Sequence, residues 1–409
     1  MLRMQMQSVS KERASLVGSL GVDGRVLTML VVLAVVWTAF QILTLGQPGQ
    51  FLSPQNLWNL SVQTAVVGIM VGGMVLVIVA RQIDLSVGSI LGFTGMIMAL
   101  IQTVPPLGWG GHWLLALGAG LLLGALIGAF QGYWVAYWGV PAFVVTLAGL
   151  LIFRNATFIV ASGRTIGPLD DNFKVLGGGL NGSIGEFWTW VVGLVVIAYI
   201  VYQAFSNRSR RLKNGLPVRP VWAEGVVNGF LILLTLAFVW VMNAFPYPGT
   251  NIPRGMPVPV LITLIVLFSL NWIALNTRFG RYVFAIGGNP EAALLAGINV
   301  RRMLVVVFAL MGFLAALAGA VQAARLNFVT NSMGNLLELD VIAAAVIGGT
   351  ALAGGSGTIV GAALGALLMS SLRSGMVLMG LPTEWQNVVL GLVLLAAVIW
   401  NSVYLRSRR

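Results

Sequence analysis

Few residues in this chain have the types and spacing to do chemistry, and they stand in an apolar background. Of 409 residues, 58% are hydrophobic and only 8% charged. An ionisable side chain inside an apolar run is therefore a candidate for function. Arg154 and Asn155, in "IFRNATF", and Arg373 lie within such runs. They are candidates to line a polar path for a hydroxyl-rich solute. A second reading has the two arginines snorkelling to the outer interface. Asp84, in "RQIDLSVGS", stands between two apolar runs. It is a candidate structural or gating residue, or the partner of Arg81 in a local ion pair and cap. Glu338 and Asp340, in "LELDV", and Glu384, in "LPTEWQN", open apolar segments, where acids complement a helix N-terminus. No span offers a buried acid with a partner at mid-depth, so a proton relay is not expected.

Several chemistries are excluded outright. Cysteine is absent and His112 is the single histidine, which removes disulfides, thiolate metal sites and histidine clusters. "GGTALAGGSGT" (348–358) is glycine-rich, but a phosphate-cradling loop ends in Gly-Lys-Ser/Thr. The three lysines, Lys11, Lys174 and Lys213, do not follow glycines. These 409 residues thus hold no Walker A motif, and no cofactor is expected. The 348–358 loop is expected to form a tight or re-entrant turn sheltered by protein, with Gly354 and Gly355 as candidate structural or gating positions.

The elements that must position these residues are apolar helices. At about 20 residues per crossing, the chain divides into twelve segments near 26–45, 58–80, 87–104, 113–136, 141–161, 187–205, 224–245, 257–275, 303–323, 338–352, 356–379 and 383–405. This predicts an all-α polytopic membrane protein with one transmembrane domain over 26–405 and cytoplasmic tails over 1–25 and 406–409. The first run is longer than a signal-peptide core and no cleavage site follows it, so it is expected to remain as a span. Segments 87–104 and 338–352 are weak and are expected to be broken or partial helices. Seventeen of the 23 Lys and Arg fall on the side of the N-terminus, against Arg164, Lys174, Arg254 and Arg325 on the other. The positive-inside rule makes the first side cytoplasmic. It also accounts for the net charge of +12 without nucleic acid as a partner, although anionic membrane lipid remains one.

Glycine recurs every four residues at Gly120, Gly124, Gly128 and Gly132, and again at Gly357, Gly361 and Gly365. That spacing predicts close helix packing, within the bundle or between two copies. Trp58, Trp109, Trp113, Trp188, Trp190, Trp385 and Trp400 fall near span ends, as an aromatic belt would.

One stretch reads as a soluble helix. In "GGNPEAALLAGINVRR" (287–302), Asn289 is a good N-cap, Pro290 suits the first helical position and Glu291 complements the dipole. Gly297 is a natural stop. Such a helix is too short to stand alone in water, so it must lean on something. From its residues alone it could equally be a capped loop lying on the membrane surface.

Four stretches in order, "RQIDLSVGSILGFTG" (81–95), "RFGRYVFAIGGNPEAALLAGINV" (278–300), "FLAALAGAVQAARL" (313–326) and "LELDVIAAAVIGGTALAGGSGTIVGAALGALL" (337–368), resemble the permease subunits of bacterial ABC sugar importers, in the ribose/xylose/galactose branch. The resemblance runs from about residue 55 to the end. It implies a type II-like core of ten helices working as a pair in the inner membrane. It also implies separate ATPase subunits and a periplasmic or lipid-anchored sugar-binding protein that docks on the outer loops, 162–186 and 324–337 among them. Residues 206–257, with a basic loop and an extra helix pair, depart from the ribose-type pattern and look like the xylose subgroup. The resemblance places the ATPase-coupling segment within 277–302, at Asn289, Pro290, Glu291, Ala292, Gly297, Ile298 and Asn299. Two rival readings share some features. A twelve-span proton-coupled sugar carrier of the major facilitator type would need buried acids. A transferase acting on a lipid-linked sugar would need a cluster of acids or histidines.

Overall fold

The computed structural model describes residues 24–46, 49–179, 182–216, 218 and 220–406. The tails expected to be cytoplasmic, apart from Gly24, Arg25 and Arg406, and Arg219 lie outside the described residues. Among the described residues the chain is helical, with isolated β-bridges and no strand. The first half holds α1 (Gly24–Leu43), α2 (Pro54–Val79), α3 (Val87–Gln102), α4 (Trp113–Trp138), α5 (Ala142–Ala161) and the one-turn α6 (Asp171–Lys174). Then come α7 (Gly185–Lys213), α8 (Val221–Asn243), α9 (Val258–Asn276), α10 (Arg278–Gly288) and α11 (Pro290–Leu295). The last four are α12 (Val300–Leu326), α13 (Leu337–Ile347), α14 (Ile359–Leu378) and α15 (Thr383–Arg406).

Each of the twelve apolar segments holds a helix. Among the described residues, nine helices have the length and composition to cross a membrane: α1, α2, α4, α5, α7, α8, α9, α12 and α14. The other three are α3 with 16 residues, α13 with 11, and α15, whose apolar stretch is Thr383–Ala396.

The core sits along α12, which packs against α2, α3 and α4. Nearly all of α3 is buried, and α2 is buried from Ala65 to Ala80. Lipid tails are as apolar as leucine, so burial alone does not drive helices together in a bilayer; close packing does. Glycine allows it. A Cβ on Gly124 would strike the carbonyl of Gly312 in α12, and one on Gly128 would strike that of Phe308. Gly132 stands 2.9 Å from the Phe308 side chain by the same measure. The second stripe joins α13 to α14: Gly361 faces the Gly348 carbonyl and Gly365 that of Ala344. Both stripes therefore pack within this one chain.

The short helices have a shared cause. Residues 327–336 continue from the end of α12, where Val329 bridges Ile166, and run along α3. A Cβ on Gly95 would strike the Met333 side chain, one on Gly92 would come within 2.5 Å of the Met333 carbonyl, and one on Gly88 would strike both the Gly334 carbonyl and Glu338. The start of α13 thus lies beside the start of α3, with Val329 and Met333 of the intervening segment buried. These are the two segments the sequence marks as broken or partial.

Trp58 departs from the expected belt. It is buried, its indole N–H donating to the Gly255 carbonyl at 3.0 Å. Trp109, Trp188 and Trp385 are exposed as a belt requires.

Gly128→Leu is expected to destabilise the protein by about 3 kcal/mol, because overpacking against a main chain cannot relax through a rotamer. Gly118→Ala on the same helix, where a Cβ meets nothing within 4 Å, should be neutral or slightly stabilising. Thermal unfolding of the two variants in detergent checks both.

Candidate functional site

The polar residues gather at two levels. On the predicted cytoplasmic side, Thr277 starts α10, accepting from the Gly280 N–H at 3.3 Å. Gly280, Val283, Ile286 and Gly287 form its buried face, leaving Arg278, Arg281 and Tyr282 exposed. Asn289 ends this helix and caps the next. Its Oδ1 accepts from the N–H groups of Glu291 and Ala292 at 3.0 and 3.1 Å, and Pro290 follows. Helix α11 then stops in a Schellman turn: Gly297 N–H bonds the Leu294 carbonyl, Ile298 N–H bonds that of Ala293, and Gly297 has φ +80°. Asn299 Oδ1 accepts from Arg302 N–H at 3.0 Å and opens α12.

What α11 leans on is α10, through Ala293, its buried residue. That leaves an apolar edge in the open. Leu294 is 63% exposed and Leu295 90%, beside exposed Glu291 and Ala292. Sequence reasoning missed both leucines and the helicity of 278–288. The signal was present as two adjacent leucines in a loop that the charge bias makes cytoplasmic.

A strut ties this helix pair to the core. Arg81 has left-handed backbone, φ 62°, which turns its side chain toward the C-terminal end of α10. There its Nε and Nη2 donate to the carbonyls of Gly287 and Gly288, each at 2.7 Å. The end of a helix offers unpaired carbonyls as acceptors. Gly287 packs directly on the Val79 carbonyl, which also accepts from Gly355 N–H at 2.9 Å. Gly354 and Gly355, both at positive φ, press against Arg81 and Gly287. The 348–358 loop is a turn whose polar backbone is bonded inward, as in Thr350 N–H to Ala345 and Ala351 N–H to Ser356.

The expected Arg81–Asp84 pair does not form, because Arg81 is spent on α10. Asp84 is fully buried and accepts instead from Ser86 N–H at 2.8 Å, with the Ser86 hydroxyl at 2.6 Å. That hydroxyl also lies 3.0 Å from Gln131 Oε1 on α4.

The second level lies inside the bundle, around the start of α13. Arg154 Nη2 on α5 stands 3.5 Å from Glu338 Oε1, and Arg373 Nη2 on α14 stands 2.8 Å from Asp340 Oδ2. The two acids stand in the first turn of α13 as expected, but each also has an arginine partner, so the expectation that no span offers a buried acid with a partner fails for Glu338. Each arginine turns to an acid of α13, since an unpaired charge in hydrocarbon is costlier than a paired one. Asn155 is exposed and donates back to the Leu151 carbonyl of its own helix at 2.8 Å. Glu384 remains exposed in the first turn of α15, as expected. Beside the Asp340–Arg373 pair is a cavity of about 80 Å³, also reached by Asn387, Met369 and Leu390. Small-molecule sites are roughly 300–1,000 Å³, so it cannot enclose a sugar.

Arg81→Gln is expected to speed amide exchange several-fold over 284–296 while exchange in α2 stays slow, because charge-assisted bonds to two carbonyls are lost. Hydrogen exchange read by mass spectrometry checks it. Arg373→Met should cost about 2 kcal/mol, discounted from a fully buried pair because the arginine side chain is 34% exposed. The double variant Asp340→Asn with Arg373→Met should be more stable than Arg373→Met alone, as thermal unfolding would show.

Comparison with known proteins places these features in a family. The family described as "Branched-chain amino acid transport system / permease component" matches residues 56–398. The xylose transport system permease protein XylH of Escherichia coli (strain K12) is 39% identical over 387 residues, 94% of each chain. XylH of Haemophilus influenzae is 37% identical over 377 residues, 92% of this chain and 96% of that one. The ribose import permease protein RbsC of Escherichia coli (strain K12) is 33% identical over 396 residues, 97% and 98% of the two chains. No solved structure matches the chain.

Proposed function

The chain belongs to the branched-chain amino acid transport system permease component family, and from that premise we propose that it carries D-xylose or a related monosaccharide in an ATP-driven importer. It is a multi-pass protein of the bacterial inner membrane. It is not an enzyme; ATP hydrolysis belongs to a separate subunit.

The observation that carries the coupling role is the exposed apolar edge of α11 on a rigid mount. Leu294 and Leu295 stand in the open, while Arg81 and Val79 lock the end of α10 to the core and to Gly355. A free surface loop has no use for such a strut. A segment that receives a push does. In this reading the ATPase grips Asn289, Pro290, Glu291, Ala292, Gly297, Ile298 and Asn299 together with the two leucines. Sugar-loaded binding protein docks on the outer loops, 162–186 and 324–337 among them. ATP binding closes the ATPase pair and moves both coupling helices. Two copies of this chain rock, and sugar passes between them. Arg154, Asn155, Arg373 and Asp84 then act near or beneath that path, with no enclosed sugar pocket needed in one chain. The xylose assignment follows the names of the relatives at 37–39% identity and the extra helices of 206–257.

The test is sugar uptake into vesicles holding this chain with its ATPase and binding protein. Uptake requiring ATP and the binding protein is expected. Uptake by this chain alone on a proton gradient would favour the secondary-carrier rival instead. Glu291→Lys and Gly297→Leu should leave protein level and insertion intact while ATPase attachment and uptake fall. Leu295→Asp should weaken attachment by roughly ten- to a hundredfold, the worth of one buried leucine side chain. Normal co-purification of all three variants with the ATPase would sink the coupling role.

A further inference from the structure

The turn between α2 and α3 holds an acid whose hydrogen bonds do not balance. Asp84, Ser86 and Gln131 of α4 are each at most 2% exposed. Asp84 Oδ1 accepts from the Ser86 N–H at 2.8 Å and lies 2.6 Å from the Ser86 hydroxyl oxygen. The same hydroxyl lies 3.0 Å from Gln131 Oε1. It has one proton to give, and an ionised carboxylate and an amide oxygen can both only accept. With Asp84 ionised, one of these contacts would be oxygen against oxygen with no proton between. Two more atoms are left over. Asp84 Oδ2 and Gln131 Nε2 are buried without a hydrogen-bond partner.

No cation offsets a charge at this place. Among the described residues, no lysine or arginine lies within salt-bridge distance of Asp84. Arg81, on the same turn, is spent on the Gly287 and Gly288 carbonyls. Helices α2, α3 and α4 carry no charged side chain. Helix α5 brings Thr146, whose hydroxyl lies 3.3 Å from the Ile83 carbonyl, and Gly149, where a Cβ would strike the Gln131 amide nitrogen. Its one charged residue, Arg154, is paired with Glu338 of α13, whose carboxylate lies against Gly88. Burying a carboxylate ion without a cation is costly, and a group so placed takes up a proton instead. Turning the Gln131 amide over does not cure the imbalance. Nε2 would then donate to Ser86, but Oε1 would take the unpartnered place against Gly149, and Asp84 Oδ2 would stay bare.

We propose that this turn is a proton-binding site, with Asp84 held as a neutral carboxylic acid. Its Oδ1–H donates to the Ser86 hydroxyl, and the Ser86 O–H donates to Gln131 Oε1. Each close oxygen–oxygen contact then holds one proton, and the 2.6 and 3.0 Å separations suit O–H···O bonds. Oδ2 becomes the carbonyl of a neutral group, less costly to leave bare than a charge. The proton is held and not passed on, because Ser86 and Gln131 do not titrate. What it secures is the turn itself. The residues that tie Asp84 to α4 also fix the chain three residues after Arg81, whose guanidinium holds the end of α10. The site depends neither on the sugar carried nor on the coupling role of α11, so its failure would leave that reading standing.

Chemical unfolding of the full-length protein in detergent, compared with Asp84→Asn from about pH 6 to 8, tests it. The folded parent keeps a proton that Asp84 of the unfolded chain, in the ordinary aspartate range, has lost. Its unfolding constant relative to the variant should therefore rise about tenfold per pH unit while Asp84 stays neutral, with stability greatest at the acid end. A ratio that does not change with pH would mean an ionised Asp84 and overturn the site. Infrared spectra of the folded parent with isotope-labelled aspartate do not depend on that variant folding. At neutral pH a label-shifted carbonyl stretch of a neutral carboxylic acid is expected, and Ser86→Ala should move it by removing the acceptor. Absence of a neutral aspartate band, or a band that Ser86→Ala leaves in place, would also overturn the proposal.

Discussion

Main chain touches main chain at the centre of this protein, and the rest of the bundle is arranged around those contacts. A bilayer removes the hydrophobic drive that collapses a soluble core. What remains is packing density, and it is greatest where no side chain intervenes. Gly124 against Gly312 and Gly128 against Phe308 bring α4 onto α12, and Gly365 against Ala344 brings α14 onto α13. The same device lets residues 327–336 run beside α3 at Gly88 and Gly92 without opening a void. It recurs at the cytoplasmic end, where Gly287 rests on the Val79 carbonyl.

These contacts make a continuous solid line through the molecule. Helix α11 is seated on α10, and α10 is pinned by Arg81 to the end of the buried α2. The 348–358 loop bonds to the same Val79 carbonyl through Gly355 and leads directly back into α13. That helix in turn carries Glu338 and Asp340, paired with Arg154 and Arg373. A displacement of α11 therefore reaches, through packed backbone rather than flexible loop, the short helix whose ion pairs tie α5 and α14 to α13. The adjacency is physical; its energetic coupling is what the proposed function asks of it. The helix pair α7 and α8 stands apart from this line. It joins the rest of the bundle through its own apolar cluster, around Met242 and Met256.

The amino-acid sequence determined the membrane class, the helix positions, the glycine stripes and the capping of α11 by Asn289 and Gly297. Each depends on local periodicity, composition or side chains a few residues apart. Asn289 needs only the N–H groups two and three residues ahead of it. The sequence also marked 87–104 and 338–352 as irregular. Only the tertiary structure decided why, since their shared start is built by glycines of one segment meeting backbone some 245 residues later. It likewise decided the partners of the charges. Asp84 is three residues from Arg81, and proximity in sequence suggested a pair. The left-handed turn at Arg81 sent its guanidinium to carbonyls 206 and 207 residues away instead. In a medium without water a charge takes whichever partner the fold brings within reach, and that choice is made between helices, not along them.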